Sequence, residues 1–362
     1  MKTGDFTFNL PPQFIAQQPP EHRGDSRLLL LDRRSGKRMH RSVKDLAAVL
    51  QSPEFRGATG KPPLLVFNNS KVRKARLLAK SPRSGTHVEF LLVEKFSNGE
   101  WKALARRAKR RRPGSVYSLF DADGNEINRA LIAGEENEFR ILKFDSPIDD
   151  GWLDRYGHIP LPPYIRRADT DDDARRYQTV YAAVSGSAAA PTAGLHFSRE
   201  LLDELAAAGI ESAYITLHVG MGTFWPVHTQ NIEDHVMHEE EYEINDEAAE
   251  KIERAAAEGR RVIAIGTTSL RTLESAYHDK LRRGRGRTSI FIYPGYTFKI
   301  VNGLFTNFHT PESTLLMLVS AFARNAEIGD LDRGRRLILE TYAEAISEGY
   351  RFFSYGDAML IY

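Results

Sequence analysis

The spacing of apolar positions changes character twice along the chain. Over residues 1 to about 75, apolar strand-like runs at 27–32 and 63–67 alternate with Pro-rich connections. From about 76 to 148 helical periodicity is almost absent. Short β-type runs follow one another instead, at 86–94, 101–105, 115–120, 125–132 and 138–144. Turn sequences such as Ser97-Asn98-Gly99 and Asp123-Gly124-Asn125 separate them. This succession predicts a small all-β barrel or sandwich.

After residue 150 helix and strand patterns alternate. Ser198 is placed to N-cap a helix whose Leu201, Leu202 and Leu205 share one face, and Gly209 is placed to end it. A strand is predicted over 212–219, with Tyr214, Thr216 and His218 facing away from Ala213, Ile215, Leu217 and Val219. The short apolar run 261–265 reads as a buried parallel strand, and Gly266-Thr267-Thr268-Ser269 leads from it into a helix. A second, almost wholly apolar helix is expected over 312–323, capped by Thr310 with Pro311 at its first turn. The expected fold is multi-domain α and β. A large α/β domain with a mixed sheet would be built from residues 1–75 and 150–362, with a smaller barrel-like all-β domain inserted at 76–149.

Composition narrows the chemistry. The chain of 362 residues is 41% hydrophobic and 27% charged, ordinary for a soluble globular protein. It has no cysteine, which excludes disulfides, thiolate metal sites and a cysteine nucleophile. The first ten residues carry Asp5 and no signal-peptide core. The longest apolar stretch, 315–322, is far short of the roughly 18 residues that span a bilayer. A cytoplasmic protein is therefore expected. The net charge of +2 hides a polarised insert. Between Lys71 and Arg112 there are 14 Lys or Arg against three Glu, and six of the seven residues 106–112 are basic. From Asp121 to Asp150 nine acids face three bases. Clustered cations gain affinity for a polyphosphate by releasing counterions. Trp101 and Tyr117 lie near enough in sequence to stack on unpaired bases, although such residues in a β domain are more often core.

Polar motifs stand where strands are predicted to end. Gly220 and Gly222 follow the strand ending at Val219 and would let backbone approach a ligand closely. Gly266-Thr267-Thr268-Ser269-Leu270-Arg271 opens a helix whose free N–H groups favour an anion, with Arg271 one turn in. Asn307, Phe308 and His309 precede the apolar helix. His235, His238 and Glu239 lack a zinc spacing and a third ligand, so no metal is expected.

In one order the chain carries Pro191-Thr192-Ala193-Gly194-Leu195-His196-Phe197, the 218–224 turn, Met237-His238-Glu239, the 266–271 turn, Tyr293-Pro294-Gly295-Tyr296, Thr306 to His309, and Tyr355-Gly356-Asp357-Ala358-Met359. Asn68-Asn69-Ser70-Lys71-Val72 and His158-Ile159-Pro160-Leu161-Pro162-Pro163 precede them. Together these closely resemble the S-adenosylmethionine:tRNA ribosyltransferase-isomerase family of queuosine biosynthesis, over essentially the whole length. Trp225 and Glu312 stand where the family commonly has Arg and Lys, and Ser198 replaces a usual Thr.

The resemblance implies that the ribosyl portion of S-adenosylmethionine, a consumed co-substrate, is transferred and isomerised. Its acceptor would be 7-aminomethyl-7-deazaguanine at the wobble position of a tRNA. Epoxyqueuosine-tRNA would form with loss of adenine and methionine. No metal or redox cofactor is implied, and a monomer is expected. The steps are general acid–base work, for which His196, His218 and His309 are candidates, with Asp357 or Glu239 orienting one of them. Gly220, Gly222, Thr267, Thr268, Arg271, Asn307, Phe308 and Tyr355 are the candidate substrate contacts. Lys71, Arg106, Arg107, Lys109, Arg110, Arg111 and Arg112 are the candidates for the tRNA backbone. Two other readings remain open at this level: an S-adenosylmethionine-dependent RNA methyltransferase, and a non-catalytic tRNA-binding protein.

Overall fold

The computed structural model of the protein describes residues 1–105, 108, 111–220, 227–324 and 329–362. Its apolar runs assemble into a nine-stranded mixed sheet. In spatial order the strands are Gly284–Thr288, Glu240–Ile244, Glu211–Leu217, Leu64–Asn68, Val262–Ile265, Gly303–Asn307, Ala358–Ile361, Arg27–Leu31 and Arg38–Ser42. The four from Glu211–Leu217 to Gly303–Asn307 run parallel. Ala358–Ile361 is antiparallel to Gly303–Asn307.

The central strands are short continuous apolar runs because both faces of the sheet are covered. Successive side chains point to opposite faces, and the core divides accordingly. Leu64, Val66, Val262 and Ala264 pack on one side, with Leu270, Leu273, Ile252 and Leu318 of the covering helices. Leu65, Phe67, Ile263 and Ile265 pack on the other, with Leu46, Leu50, Leu201 and Leu205. Ser198 caps helix Arg199–Ala207 by accepting from Leu201 N at 3.2 Å, and Gly209 adopts φ +75° just beyond it. The apolar helix begins later than its sequence suggests, as Thr314–Phe322. Ser313, not Thr310, supplies the cap by accepting from Leu316 N, and Glu312 at φ +55° breaks the chain from a helical path.

Six antiparallel strands between Arg76 and Phe144 close into a barrel, in the order Phe139–Phe144, Trp101–Ala105, His87–Lys95, Arg76–Lys80, Val116–Phe120 and Glu126–Glu136. Closure leaves no open edge. Trp101 and Tyr117, weighed above as base-stacking residues, are both in the barrel core with Phe90, Leu92, Leu119, Ile132 and Leu142. Their rings fill the interior, so neither presents a face to a base. Among the described residues no helix is long and apolar enough to cross a membrane.

Candidate functional site

The four parallel strands end on one side of the sheet, where open α/β sheets usually bind ligands. Each end contributes polar groups. Asn68, fully buried at the end of Leu64–Asn68, donates to Leu217 O at 3.0 Å and to Thr268 Oγ1 at 3.4 Å, and accepts from Leu217 N and Ser70 N. It therefore ties two neighbouring strand ends to the helix opening at Thr267. That helix, Thr267–Ala276, starts at Gly266 (φ +90°) with no side-chain cap, so its first N–H groups face a cavity of about 30 Å³. Thr192, Thr267, Thr268, Thr306, Asn307, His309 and Val219 are among the lining residues.

Asn307 is the junction of this polar cluster. It accepts from Thr192 Oγ1 at 3.0 Å and donates to His196 Nε2 at 2.9 Å. His309 Nε2 pairs with Thr306 Oγ1 at 2.9 Å, and its backbone N–H reaches the Tyr342 hydroxyl. Two of the three expected histidines thus meet around Asn307 and Thr306. Burial pushes both down to about 3, and for His196 the Arg351 and Arg23 charges add to it. Both imidazoles are neutral near pH 7.

His218 sits differently. It is half-buried in a neighbouring cavity of about 460 Å³ lined by Ser185, Thr216, Tyr242, Glu241, Glu243, Arg285 and Arg287. Its Nδ1 is buried without a hydrogen-bond partner among the described residues. Its pKa is lowered by burial and by Arg73. Gly186 is what allows this placement, since a Cβ there would lie 2.7 Å from the imidazole. Lys71 is exposed and pairs across strands with Ser185, one of the residues lining this cavity.

Several expected roles shift. Arg271 is buried in an ion pair with Glu240 through Nη1, and its Nη2 has no hydrogen-bond partner among the described residues. Glu240 also accepts from Gly220 N at 3.0 Å, holding the turn after His218. Glu239 instead lies outside, 3.2 Å from Arg287. Asp357 orients no histidine: its two oxygens accept from Arg27 N and Arg351 N, so it clips two loops together. Phe308 is fully buried among Tyr342, Tyr350 and Phe352 and cannot stack on a base from there. Tyr355 is buried, with its hydroxyl donated to Asp173 at 2.8 Å. Glu240 was legible after all. Alternation along Glu240–Ile244 puts it on the buried face with Tyr242 and Ile244, and Glu239 falls before the strand. Asn68 and Asp173 carried no comparable signal.

Of the basic segment, Arg106, Arg107, Lys109 and Arg110 lie outside the described residues, as do Gly222 and Trp225. Arg111 packs over Tyr117, and Arg112 is exposed. Buried Arg140 donates to Ala108 O at 2.7 Å and Arg111 O at 2.6 Å, fastening this segment to the barrel. Beside it runs a groove of about 800 Å³ between the barrel (Leu91, Leu104, Ala105, Ala108) and the segment 161–168, including Arg166 and Arg167. Among the described residues no group of three or more His, Asp or Glu stands at metal-binding separation.

Comparison with known proteins gives one consistent result. The profile of a family described as queuosine biosynthesis protein matches residues 3–361. The chain is 50% identical to the S-adenosylmethionine:tRNA ribosyltransferase-isomerase of Treponema denticola, and 45% identical to that of Acetivibrio thermocellus. Both alignments cover 100% of each chain. The crystal structure of the S-adenosylmethionine tRNA ribosyltransferase of Thermotoga maritima matches at 34% identity with a TM-score of 0.53, over 99% of this chain and 100% of that one.

Proposed function

The chain belongs to the queuosine biosynthesis protein family, its activity is that of the tRNA ribosyltransferase-isomerases it resembles, and we propose that the reaction runs around the His218–Val219 turn, whose two residues each line one of the two cavities. One observation carries this assignment. His218 and Val219 are consecutive, yet His218 lines the 460 Å³ cavity and Val219 the polar cavity at the uncapped helix. The larger falls in the range of about 300–1,000 Å³ typical of small-ligand sites. The smaller, with its hydroxyls and free N–H groups, would serve as the polar end of the S-adenosylmethionine site.

Within that site the histidines divide their roles by burial. A proton-transfer group works best with a pKa near the operating pH. His196 and His309, held near 3, are poor proton carriers and would instead orient Asn307 and Thr306 against substrate. His218, less buried and lining the larger cavity, is the group to take a proton from C5′ beside the sulfonium. Loss of that proton drives adenine out. The aminomethyl group then attacks, and closure of the epoxide displaces methionine. Every step is proton transfer or displacement, so the reading calls for no metal or redox cofactor. The tRNA backbone would lie along Lys71, Arg111 and Arg112 and the basic segment between them. We further infer a cytoplasmic monomer with the barrel as a separate inserted domain.

The test is incubation with S-adenosylmethionine and tRNA bearing 7-aminomethyl-7-deazaguanine, followed by assay of small products and mass analysis of the tRNA. Adenine, methionine and an epoxide-bearing nucleoside are expected, and His218→Ala should slow their release by about 10²–10⁴-fold. S-adenosylhomocysteine as the product would establish the methyltransferase reading instead.

A further inference from the structure

Asp173 carries more donors than a helix cap requires. It stands in the first turn of Asp171–Arg176 and, as a capping-box acid, accepts from Thr170 N at 2.8 Å. Its two oxygens also accept from Thr170 Oγ1 at 3.0 Å, from Arg167 at 2.6 and 2.8 Å in a bidentate pair, and from the Tyr355 hydroxyl at 2.8 Å. The carboxylate is 2% exposed. Burial alone would push its pKa up, but the Arg167 guanidinium and the Thr170 and Tyr355 donors outweigh this and hold it at about 2. It is therefore a fixed negative charge at any working pH.

What those donors connect is the notable part. Arg167 lines the 800 Å³ groove between the barrel and the segment 161–168, and is anchored there by donating to Gln17 O at 3.0 Å. Tyr355 lines the small recess that holds Leu195, His196, Ser354 and Gly356. His196 in turn bonds Asn307 at the catalytic cluster. From the groove wall, charge-assisted bonds, which are stronger and more directional than neutral ones, run through Arg167 and Asp173 to Tyr355, which shares its recess with His196.

We propose that Asp173 is a positioning residue that couples the groove to the His196 cluster, so that tRNA held at Arg111 and Arg112 and entering the groove beside them sets the geometry at which the ribosyl group is transferred. This rests on the assignment of tRNA and S-adenosylmethionine sites given above. Asp173→Asn keeps the shape but removes the charge and one acceptor, releasing Arg167 and loosening Tyr355.

The measurement is steady-state adenine release by the full-length protein, with tRNA and S-adenosylmethionine varied separately, for Asp173→Asn, Tyr355→Phe, Arg167→Lys and the Asp173→Asn/Tyr355→Phe pair. Asp173→Asn should lower kcat/KM for tRNA by about ten- to a hundredfold, the scale of a displaced catalytic geometry, while KM for S-adenosylmethionine changes less than about twofold. The double variant should be little worse than the worse single one, because both remove the same link. Thermal denaturation separates this from loss of fold. Unchanged kcat and KM values with only a lower Tm would assign Asp173 a purely structural role and overturn the proposal. If Asp173→Asn does not fold, Tyr355→Phe and Arg167→Lys decide: both at parent kcat/KM for tRNA would refute the coupling. Absence of adenine release from the parent protein would instead refute the functional assignment itself.

Discussion

The two deeply buried histidines should make the protein acid-labile in a calculable way. His196 and His309 have folded pKa values of about 3, whereas an unfolded histidine titrates near 6.5. Folding thus favours the neutral form. Their contribution is fully present above about pH 6.5 and is lost as pH falls toward about 3. At about pH 5, roughly 1.5 units below the unfolded value and at about 1.4 kcal/mol per unit, each would remove roughly 2 kcal/mol. The pair would then cost about 4 kcal/mol of a typical 5–15 kcal/mol total. Urea denaturation of the parent and of His309→Gln at neutral pH and at about pH 5 reads this directly. The variant is expected to start lower, having lost the Thr306 bond, but to fall by roughly 2 kcal/mol less between the two pH values. A parent whose stability is flat over that interval, or a variant with the parent's slope, would refute the assignment of neutral, desolvated rings.

Two further substitutions probe the site. Glu240→Gln leaves the Arg271 charge buried without its partner, and should destabilise by about 3–5 kcal/mol in chemical denaturation. Adding Arg271→Met should recover part of that loss, and a Glu240→Gln protein of parent stability would show that the pair contributes nothing. Gly186→Ala would drive a methyl group into the His218 ring. It should reduce kcat by about tenfold or more through a displaced imidazole, with KM for tRNA little changed; parent-like kcat would mean that His218 has no part in the proton transfer.

Much of this protein was legible in its sequence. The run at 63–67 announced a strand and that at 261–265 a buried parallel one, since a strand covered on both faces has no polar alternation to show. The succession of short strands after residue 76 announced the barrel, and the ordered motifs identified the chemistry. Ser198 and Gly209 marked a helix correctly because capping is local, a matter of one hydroxyl and one positive φ.

Partnership across the chain was settled only by tertiary structure. Arg271 is 31 residues from Glu240, and Tyr355 is 182 from Asp173. Nothing in either segment says that an arginine at a helix start will be neutralised inside the protein rather than left for a phosphate. Phe308 and Tyr355 look like exposed aromatics in a functional motif until the surrounding helices close over them. The histidines show the same division. Their motifs single out all three, but how deeply each is buried depends on packing from distant segments. That desolvation holds His196 and His309 neutral and sets them apart from the half-buried His218.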